Sequence, residues 1–164
     1  MSRAFVKEGA PEQPLVVPPR PPLPAGVPNY VTPAGLAALR AEKSALEAER
    51  RGLEGDADES VRRREWLTGR LRDLVERIAR SNVVDPSRFD HDDVRFGATV
   101  TVRRAEGEQT FQIVGVDEAT ARGDAVAFTS PIARAVLRAR EGDTVRLTVP
   151  KGEERLEVVA VRYV

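Results

Sequence analysis

Hydrophobic residues follow two different spacings along the 164-residue chain. From Pro33 to about Arg80 they recur every three or four positions, which is the spacing of a helix that buries one face. From Val94 to the end, apolar and polar residues alternate, as they do along half-buried strands. The chain is therefore predicted to have an α+β fold, with a helical part followed by a β-rich part.

The helical part, residues 32–82, is predicted to be an antiparallel hairpin of two helices. Thr32 and Pro33 suit the N-cap and the first position of a helix, and Gly55 suits a helix end. The helices are expected over about Pro33–Leu53 and Asp58–Arg80. Their apolar residues form the narrow seam of a coiled coil, packed along Leu39, Leu46, Leu71, Leu74 and Ile78.

The β-rich part, residues 94–164, is predicted to be an antiparallel sheet with one short helix. Glycine or proline separates most of its alternating runs, as expected of strands joined by turns. Ser130 is the expected N-cap of the helix and Pro131 its first residue. The helix residues expected to face the sheet are Ile132, Ala133, Val136 and Leu137.

A polar linker, residues 83–93, is expected between the hairpin and the sheet. It contains the run Asp90-His91-Asp92-Asp93. Such a run could bind a metal ion, but the histidine stands alone and carboxylates need no partner in a solvated segment. The simpler interpretation is a solvent-exposed connection.

Proline dominates the first 31 residues, which hold eight of the chain's 12 prolines. Because proline fixes φ and lacks a backbone donor, residues 1–31 are predicted to be an extended or disordered tail. The run from Pro18 to Pro22, with Arg20 at its centre, is either a docking motif or a plain spacer.

Composition narrows the classes of function. The chain has 26 basic and 26 acidic residues, so no overall charge draws it to nucleic acid or to a membrane. It has no cysteine, and no apolar run approaches the roughly 20 residues of a membrane-spanning helix. The N-terminus lacks the apolar core of a signal peptide. We expect a cytoplasmic protein with no membrane partner.

The predicted turn between the helices is acidic. The stretch Gly55-Asp56-Ala57-Asp58-Glu59-Ser60 places three carboxylates in six residues. Asp56 or Asp58 could cap the second helix, and the acids could simply solvate the turn. Alternatively, Asp56 and Glu59 are three residues apart, so one turn can bring both carboxylates toward a single cation, with Asp58 as a substitute ligand. Behind the turn, Arg62–Arg64 form a basic collar.

The turn and several later motifs resemble the bacterial GreA/GreB transcript-cleavage factors. The turn matches the family's Gly-Asp-x-x-Glu-Asn pattern, with Ser60 in place of asparagine. The resemblance runs from about Tyr30 to Val164 and leaves out the proline-rich tail. The other matching segments are Gly69–Leu74, Asn82–Asp85, Phe96–Val102, Gln112–Gly115 with Asp117 and Glu118, Ser130–Ala135, and Tyr163–Val164.

The resemblance implies a helical hairpin followed by an FKBP-like domain, with RNA polymerase as the partner. The globular domain would hold the rim of the polymerase's secondary channel, with Thr129, Ser130 and Pro131 in the contact. The hairpin would reach inward, where Asp56 and Glu59 would help hold a second Mg²⁺ and orient a water.

The resemblance also implies that this chain is an accessory factor and not an enzyme. The polymerase would hydrolyse its own backtracked transcript, and the factor would contact transcript RNA only indirectly. We expect a monomer that binds no cofactor alone, because the Mg²⁺ would be shared with the polymerase.

Two departures from the family leave other functions open. Arg63 stands at an aromatic position of the family, and both arms of the hairpin are about two turns, or roughly 11 Å, shorter than usual. Rnk-like members with shortened hairpins bind polymerase without stimulating cleavage. Two further alternatives are a prolyl isomerase, which needs an aromatic-lined pocket, and a coiled-coil oligomer.

Overall fold

A computed structural model describes residues 16–55 and 57–164 of the chain. A 3₁₀ turn, Pro86–Arg88, lies between the hairpin and the sheet. The helices and strands, in chain order, are β1 (Asn29–Val31), α1 (Pro33–Gly52), α2 (Asp58–Ala79), β2 (Ser81–Val83), β3 (Thr99–Arg104), β4 (Gly107–Val114), α3 (Val116–Ala121), β5 (Ala125–Ala127), α4 (Pro131–Val136), β6 (Thr144–Val149) and β7 (Gly152–Arg162). The predicted α+β class is confirmed, because two long helices precede a separate sheet.

The two long helices form the predicted hairpin. Leu39, Leu71 and Leu74 of the seam are buried, and Leu46 and Ile78 pack beside them. Ion pairs between the arms show that the two helices are antiparallel. Glu49 of α1 pairs with Arg63 near the turn, whereas Glu42, earlier in α1, pairs with Arg70, later in α2. The seam is therefore filled within one chain.

The helix starts differ from each other in how they are capped. Thr32 caps α1 as predicted, because its Oγ1 accepts a hydrogen bond of 2.9 Å from the Gly35 backbone N–H. The N-cap of α2 is Ala57, whose side chain makes no capping bond. The interpretation of Asp58 as a cap is wrong, since Asp58 is already the first residue of α2. Asp56, the other predicted cap, lies outside the described residues.

The sheet has five strands in the order β5-β4-β3-β7-β6. Three of its neighbouring pairs are antiparallel, but β4 and β5 run parallel, so the sheet is mixed and the prediction of an antiparallel sheet is wrong at this edge. The short helix α3 causes the difference, because it carries the chain back before β5 begins. The prediction of one short helix is wrong for the same reason: α3 accompanies α4.

Alternating residues of the strands build the core of the sheet domain. The fully buried members include Val100, Val102, Ile113, Leu156 and Val158. They lie on the strands β3, β4 and β7, which are interior to the sheet.

Helix α4 covers one part of this core. Ala133 and Val136 are buried as predicted, and Ile132 packs against the core. Leu137 is 50% exposed, so its predicted sheet contact is wrong. The helix ends at Val136, and Leu137 itself has left the helical conformation with a ψ of 131°, so its side chain no longer continues the helix face that meets the sheet.

The base of the hairpin is joined to the sheet domain. Strand β1 enters α1, β2 leaves α2, and the two strands pair in parallel. The Tyr30 ring packs against Phe96 and Phe128 of the sheet domain at centroid distances of 5.7 and 5.6 Å. These aromatic rings are therefore used in packing, which weakens the isomerase alternative.

Candidate functional site at the hairpin tip

The tip of the hairpin is a short, open turn between α1 and α2. Gly55 has a φ of 85°, a left-handed conformation that side chains other than glycine adopt with strain, and no atom lies within 4 Å of where its Cβ would be. Asp58 and Glu59 follow as the first two residues of α2, and both are exposed. Of the two predicted metal-holding acids, Glu59 is placed at the tip, whereas Asp56 lies outside the described residues.

The acids at the start of α2 are not used to satisfy the helix end. Within the described part of the chain, the carboxylates of Asp58 and Glu59 make no hydrogen bond or ion pair. Alanine at an N-cap costs about 0.5–2 kcal/mol relative to serine, threonine or aspartate. The local sequence therefore leaves the helix start poorly capped while presenting carboxylates to solvent.

The backbone favours negative charge at this place. The first turn of a helix exposes unpaired N–H groups and the positive end of the helix dipole. Asp58 and Glu59 both lie in that first turn, so the positive end of the helix dipole faces them. An exposed carboxylate pair of this kind has free oxygen ligands for a hard cation.

The basic collar behind the tip holds the two arms together. The Arg63 guanidinium lies 2.6 Å from Glu49 of the other arm and 4.5 Å from the centroid of the Trp66 ring. The Arg63 pKa is raised, mainly by the hydrogen bond with Glu49. Arg64 donates a 3.4 Å hydrogen bond to the backbone carbonyl of Leu53. Arginine at position 63 thus closes the hairpin just behind the turn.

The described residues do not form a complete metal site. Among residues 16–55 and 57–164, no group of three or more His, Cys, Asp or Glu side chains is arranged to hold a metal ion. The Asp90–Asp93 run is engaged otherwise: His91 stacks on Phe89, and the Asp93 carboxylate pairs with Arg95 and Arg138.

The predicted polymerase-contact residues lie at the start of α4. Ser130 is the N-cap and accepts a 3.3 Å hydrogen bond from the Ala133 backbone N–H. Pro131 is the first helical residue and is exposed, whereas Thr129 and Ser130 are half-buried. The backbone carbonyl of Thr129 accepts a hydrogen bond from the Arg134 Nε–H. The helix-starting role is confirmed, and the contact with a partner stays a prediction.

A buried polar cluster at the hairpin base was not predicted from the sequence. The Thr32 hydroxyl lies 2.6 Å from the Glu118 carboxylate, which is 9% exposed and also pairs with Arg122. Arg20 of the proline-rich segment bridges Glu42 of α1 and Asp117 of α3. An arginine enclosed by prolines was the only local signal for this cluster.

Comparison with known proteins extends over most of the chain. The family model "Transcription elongation factor, GreA/GreB, C-term" matches residues 90–163. Transcription elongation factor GreB of Neisseria meningitidis serogroup A is 38% identical over 154 residues, which cover 83% of this chain and 94% of that protein. The chain belongs to the GreA/GreB family of transcription elongation factors.

The chain is also similar to another curated relative and to solved structures. Transcription elongation factor GreA of Hyphomonas neptunium is 36% identical over 151 residues, covering 81% of this chain and 96% of the relative. Among solved structures, a GreA/GreB factor of Nitrosomonas europaea is 21% identical, with a TM-score of 0.39, over 82% of this chain and 98% of that one. Thermus aquaticus Gfh1 is 18% identical, with a TM-score of 0.40, over 81% and 97%.

Membership confirms the resemblance read from the motifs. GreA/GreB factors are accessory elongation factors, which is the class expected from the sequence. Neither long helix of the described residues carries the unbroken apolar stretch that crossing a membrane requires.

Proposed function

We propose that this GreA/GreB protein binds RNA polymerase at the rim of its secondary channel and stimulates cleavage of backtracked transcripts. The hairpin tip would enter the channel and bring its carboxylates to the catalytic centre. The protein would act in the cytoplasm as a monomeric accessory factor, and its contact with transcript RNA would be indirect. The observation that carries this proposal is that Asp58 and Glu59, at the end of the hairpin, are exposed at a helix start whose N-cap Ala57 provides no side-chain cap.

The tip residues fit the ligand chemistry of Mg²⁺. This ion prefers oxygen ligands and usually keeps several waters, so one or two protein carboxylates are enough when a partner supplies the rest. Glu59, with Asp56 three residues earlier, would supply these oxygens, and Asp58 is the substitute. When bound, Mg²⁺ would supply a Lewis acid that activates a water and offsets phosphate charge.

The chain's own contribution is to place negative charge where a cation is needed. Asp56 and Glu59 would hold the shared ion and orient its water, while the collar keeps the arms closed behind them. The Arg63–Glu49 pair resists splaying of the arms when the acidic tip approaches an anionic transcript. Because the carboxylates are not consumed, one factor can act repeatedly on the polymerase.

The exposed start of α4 is the proposed docking contact. Thr129, Ser130 and Pro131 lie on the sheet domain, at the start of α4. Pro131 is exposed and has a fixed φ, so a partner meets a pre-shaped surface at low entropic cost. Docking through the sheet domain would leave the hairpin free to reach inward.

A second candidate function rests on the length of the hairpin. Helix α1 has 20 residues, which corresponds to about 30 Å. If this length stops short of the catalytic centre, the protein would bind the channel as a regulator without stimulating cleavage, as Rnk-like proteins do. The two functions share the docking contact and differ only in what the tip touches.

A cleavage assay on stalled, backtracked polymerase tests the proposal. The wild type should stimulate cleavage, and Asp56→Asn with Glu59→Gln should abolish stimulation while leaving polymerase binding unchanged. The control Asp73→Asn with Glu76→Gln removes two acids at the same spacing on α2, away from the tip, and should keep stimulation. A wild type that binds but does not stimulate would establish the regulator instead.

Binding is tested separately from cleavage. Replacing Ser130 and Pro131 by alanine should weaken binding to polymerase in a protein whose circular dichroism is unchanged. Unchanged affinity in that folded variant would remove the docking role from the start of α4.

A further inference from the structure

The proline-rich segment before the hairpin packs against the protein. Residues 16–28, called the strap below, run beside α2: the Arg70 side chain donates to the Pro18 carbonyl, and the Arg77 side chain donates to the Pro21 carbonyl. Gly69 of α2 makes room for the strap, since a Cβ there would lie 3.3 Å from a methyl carbon of Val17. The strap is therefore neither a free spacer nor an open docking motif.

Arg20 is the anchor of the strap. Its side chain is only 7% exposed, and its guanidinium lies 2.6 Å from Glu42 of α1 and 3.0 Å from Asp117 of α3. Burial disfavours the charge, but the bonds to Glu42 and Asp117 outweigh it and raise the Arg20 pKa. Arginine forms two such bonds at once because its guanidinium is a rigid planar fork.

Arg20 joins the hairpin to the sheet domain at a second height along α1, above the base of the hairpin. The first level is the base, where Thr32 meets Glu118. Glu42 lies ten residues further along α1, at a height of about 15 Å. A cleft of about 490 Å³ lies at this level, lined by α1, α3 and the strap. A single attachment would leave a pivot, and further attachments fix an angle. Arg77 of α2 contacts the Asp117 carboxylate at 3.4 Å, and Arg20 adds the bridge from Asp117 across the cleft to Glu42 of α1.

The angle of the hairpin decides where the tip lies. The tip extends roughly 20 Å beyond Glu42, so a rotation of about 10° at that level would move it by roughly 3 Å. Misplacement of a reacting group by about 1 Å can lower a rate by about 100-fold. A small loss of angular control at Arg20 would thus reach the chemistry at the tip.

The strap is suited to hold a fixed position. Prolines on both sides of Arg20 restrict its backbone, and each proline reduces the freedom that the segment loses when it packs. The Arg20 side chain is therefore presented from a backbone that is already largely ordered. A glycine- or serine-rich segment would lose more entropy for the same contacts.

We propose that Arg20 is a positioning residue: by bridging Glu42 and Asp117 it fixes the direction in which the hairpin leaves the sheet domain and thereby aims the tip carboxylates. The catalytic part of this inference rests on the proposed function. The positional part does not, because it concerns the free protein.

The positional part is tested by measuring the hairpin angle in the free protein. The chain has no cysteine, so spin labels can be attached at cysteines introduced in place of Ala48 on α1 and Thr148 on β6, both exposed. Pulsed electron spin resonance should give one narrow distance distribution for the otherwise unchanged chain. Arg20→Ala should broaden it, and Arg20→Lys should give an intermediate width, because lysine cannot bridge both carboxylates with a planar fork.

The matched control is Arg72→Ala, which removes an arginine of α2 whose side chain is 81% exposed. It should leave the distribution narrow. Equal widths for the parent chain, Arg20→Ala and Arg72→Ala would overturn the proposal. Circular dichroism should show unchanged helix content in all variants, so that broadening reports the angle and not unfolding.

The catalytic part is tested by separating binding from turnover. In the transcript-cleavage assay, Arg20→Ala should lower the maximal stimulated rate by about tenfold or more and leave the half-saturating factor concentration unchanged. Arg20→Lys should recover part of the rate. An Arg20→Ala rate equal to that of wild type would refute the aiming role. If the wild type itself fails to stimulate, the proposed function is wrong, and the distance distributions alone decide the positional inference.

Discussion

The two ends of the hairpin are built on opposite principles. At the base and just above it, polar and charged groups are paired and mostly buried: Thr32 with Glu118 at the base, and Arg20 with Glu42 and Asp117 above it. At the tip, Asp58 and Glu59 are exposed, and the helix start lacks a side-chain cap. Charges at the base therefore maintain the shape of the protein, whereas charges at the tip are available to a partner.

This contrast between base and tip predicts that residues at the base determine stability and that residues at the tip determine function. Removing a buried partner leaves an unpaired polar group and costs far more than removing an exposed charge. Variants at the base should therefore lower the free energy of unfolding. Variants at the tip should leave it nearly unchanged and act only on the polymerase.

The largest loss of stability is expected at the apolar base of the seam. Leu74 is fully buried beside Leu39 and Val31. Leu74→Ala should lower the free energy of unfolding by about 2–5 kcal/mol, from lost burial and the cavity that remains. Urea denaturation followed by circular dichroism measures this loss. Val75→Ala, at an exposed neighbouring position, should lose less than about 0.5 kcal/mol. Equal losses for the two would contradict the packing of the seam.

A smaller loss is expected at the cap of α1. Thr32→Val keeps the shape of the side chain but removes its bonds to the Gly35 N–H and to Glu118. The free energy of unfolding should fall by about 1–3 kcal/mol, because the Gly35 N–H loses its cap and the buried Glu118 carboxylate loses a hydrogen-bond donor. Thr68→Val is the matched control, since the Thr68 hydroxyl lies on an exposed face and donates a hydrogen bond to the Arg64 carbonyl. A control that loses as much would show that burial at the base is unimportant.

A pH-dependent effect on stability is expected in the sheet domain, at the paired carboxylate of Asp93. Hydrogen bonds from Arg95 and then Arg138 lower the Asp93 pKa from 3.8 to about 2. A depressed pKa in the folded state stabilises the fold above the unfolded value, and this stabilisation is lost as pH falls from about 4 toward 2. Asp93→Asn should make the decline in stability over this window less steep. Thermal unfolding at several pH values measures the slope, and parallel slopes for wild type and variant would refute the pairing.

The smallest effect on stability is expected at the tip. Glu59→Gln removes an exposed charge from the first turn of α2. The free energy of unfolding should change by at most about 0.5–1 kcal/mol, the contribution of a charge at a helix end. Urea denaturation should show nearly the wild-type midpoint. A loss as large as that of Thr32→Val would mean that the tip acid maintains the fold.

Local patterns in the sequence predicted much of the fold. The spacing of Leu39, Leu71 and Leu74 predicted the seam, and Thr32-Pro33 and Ser130-Pro131 predicted two helix starts. These features depend on residues a few positions apart, which a periodic pattern records directly. The alternation of Val100 and Val102 predicted a strand for the same reason.

Features that depend on distant residues could not be predicted. Arg20 and Asp117 are 97 positions apart, and no local pattern relates them. Strands β1 and β2 have three residues each, and α3 has six, which is too short for periodicity to be recognised. The parallel β4–β5 pair follows from the unrecognised α3. The sequence also did not reveal that Ala57 is the N-cap of α2, because the neighbouring aspartates are better capping residues and suggested a capped helix start.

The candidate site was predicted from motif more than from spacing. Spacing alone left the acids as possible caps, and the structure excludes that role for Asp58. What the tip acids do inside a polymerase depends on groups of the partner, which this chain does not encode. Their role as metal-holding acids therefore stays a prediction.

The magnesium dependence of stimulated cleavage tests the central claim most directly. Cleavage by backtracked polymerase should be measured over a range of Mg²⁺ concentrations with no factor, with wild type, and with Asp56→Asn plus Glu59→Gln. We expect wild type to raise the rate and to lower the Mg²⁺ concentration that gives half the maximal rate. The double variant should bind the polymerase equally well and give the curve of the polymerase alone. Superimposable curves for wild type and double variant would contradict the claim that the tip carboxylates hold the ion.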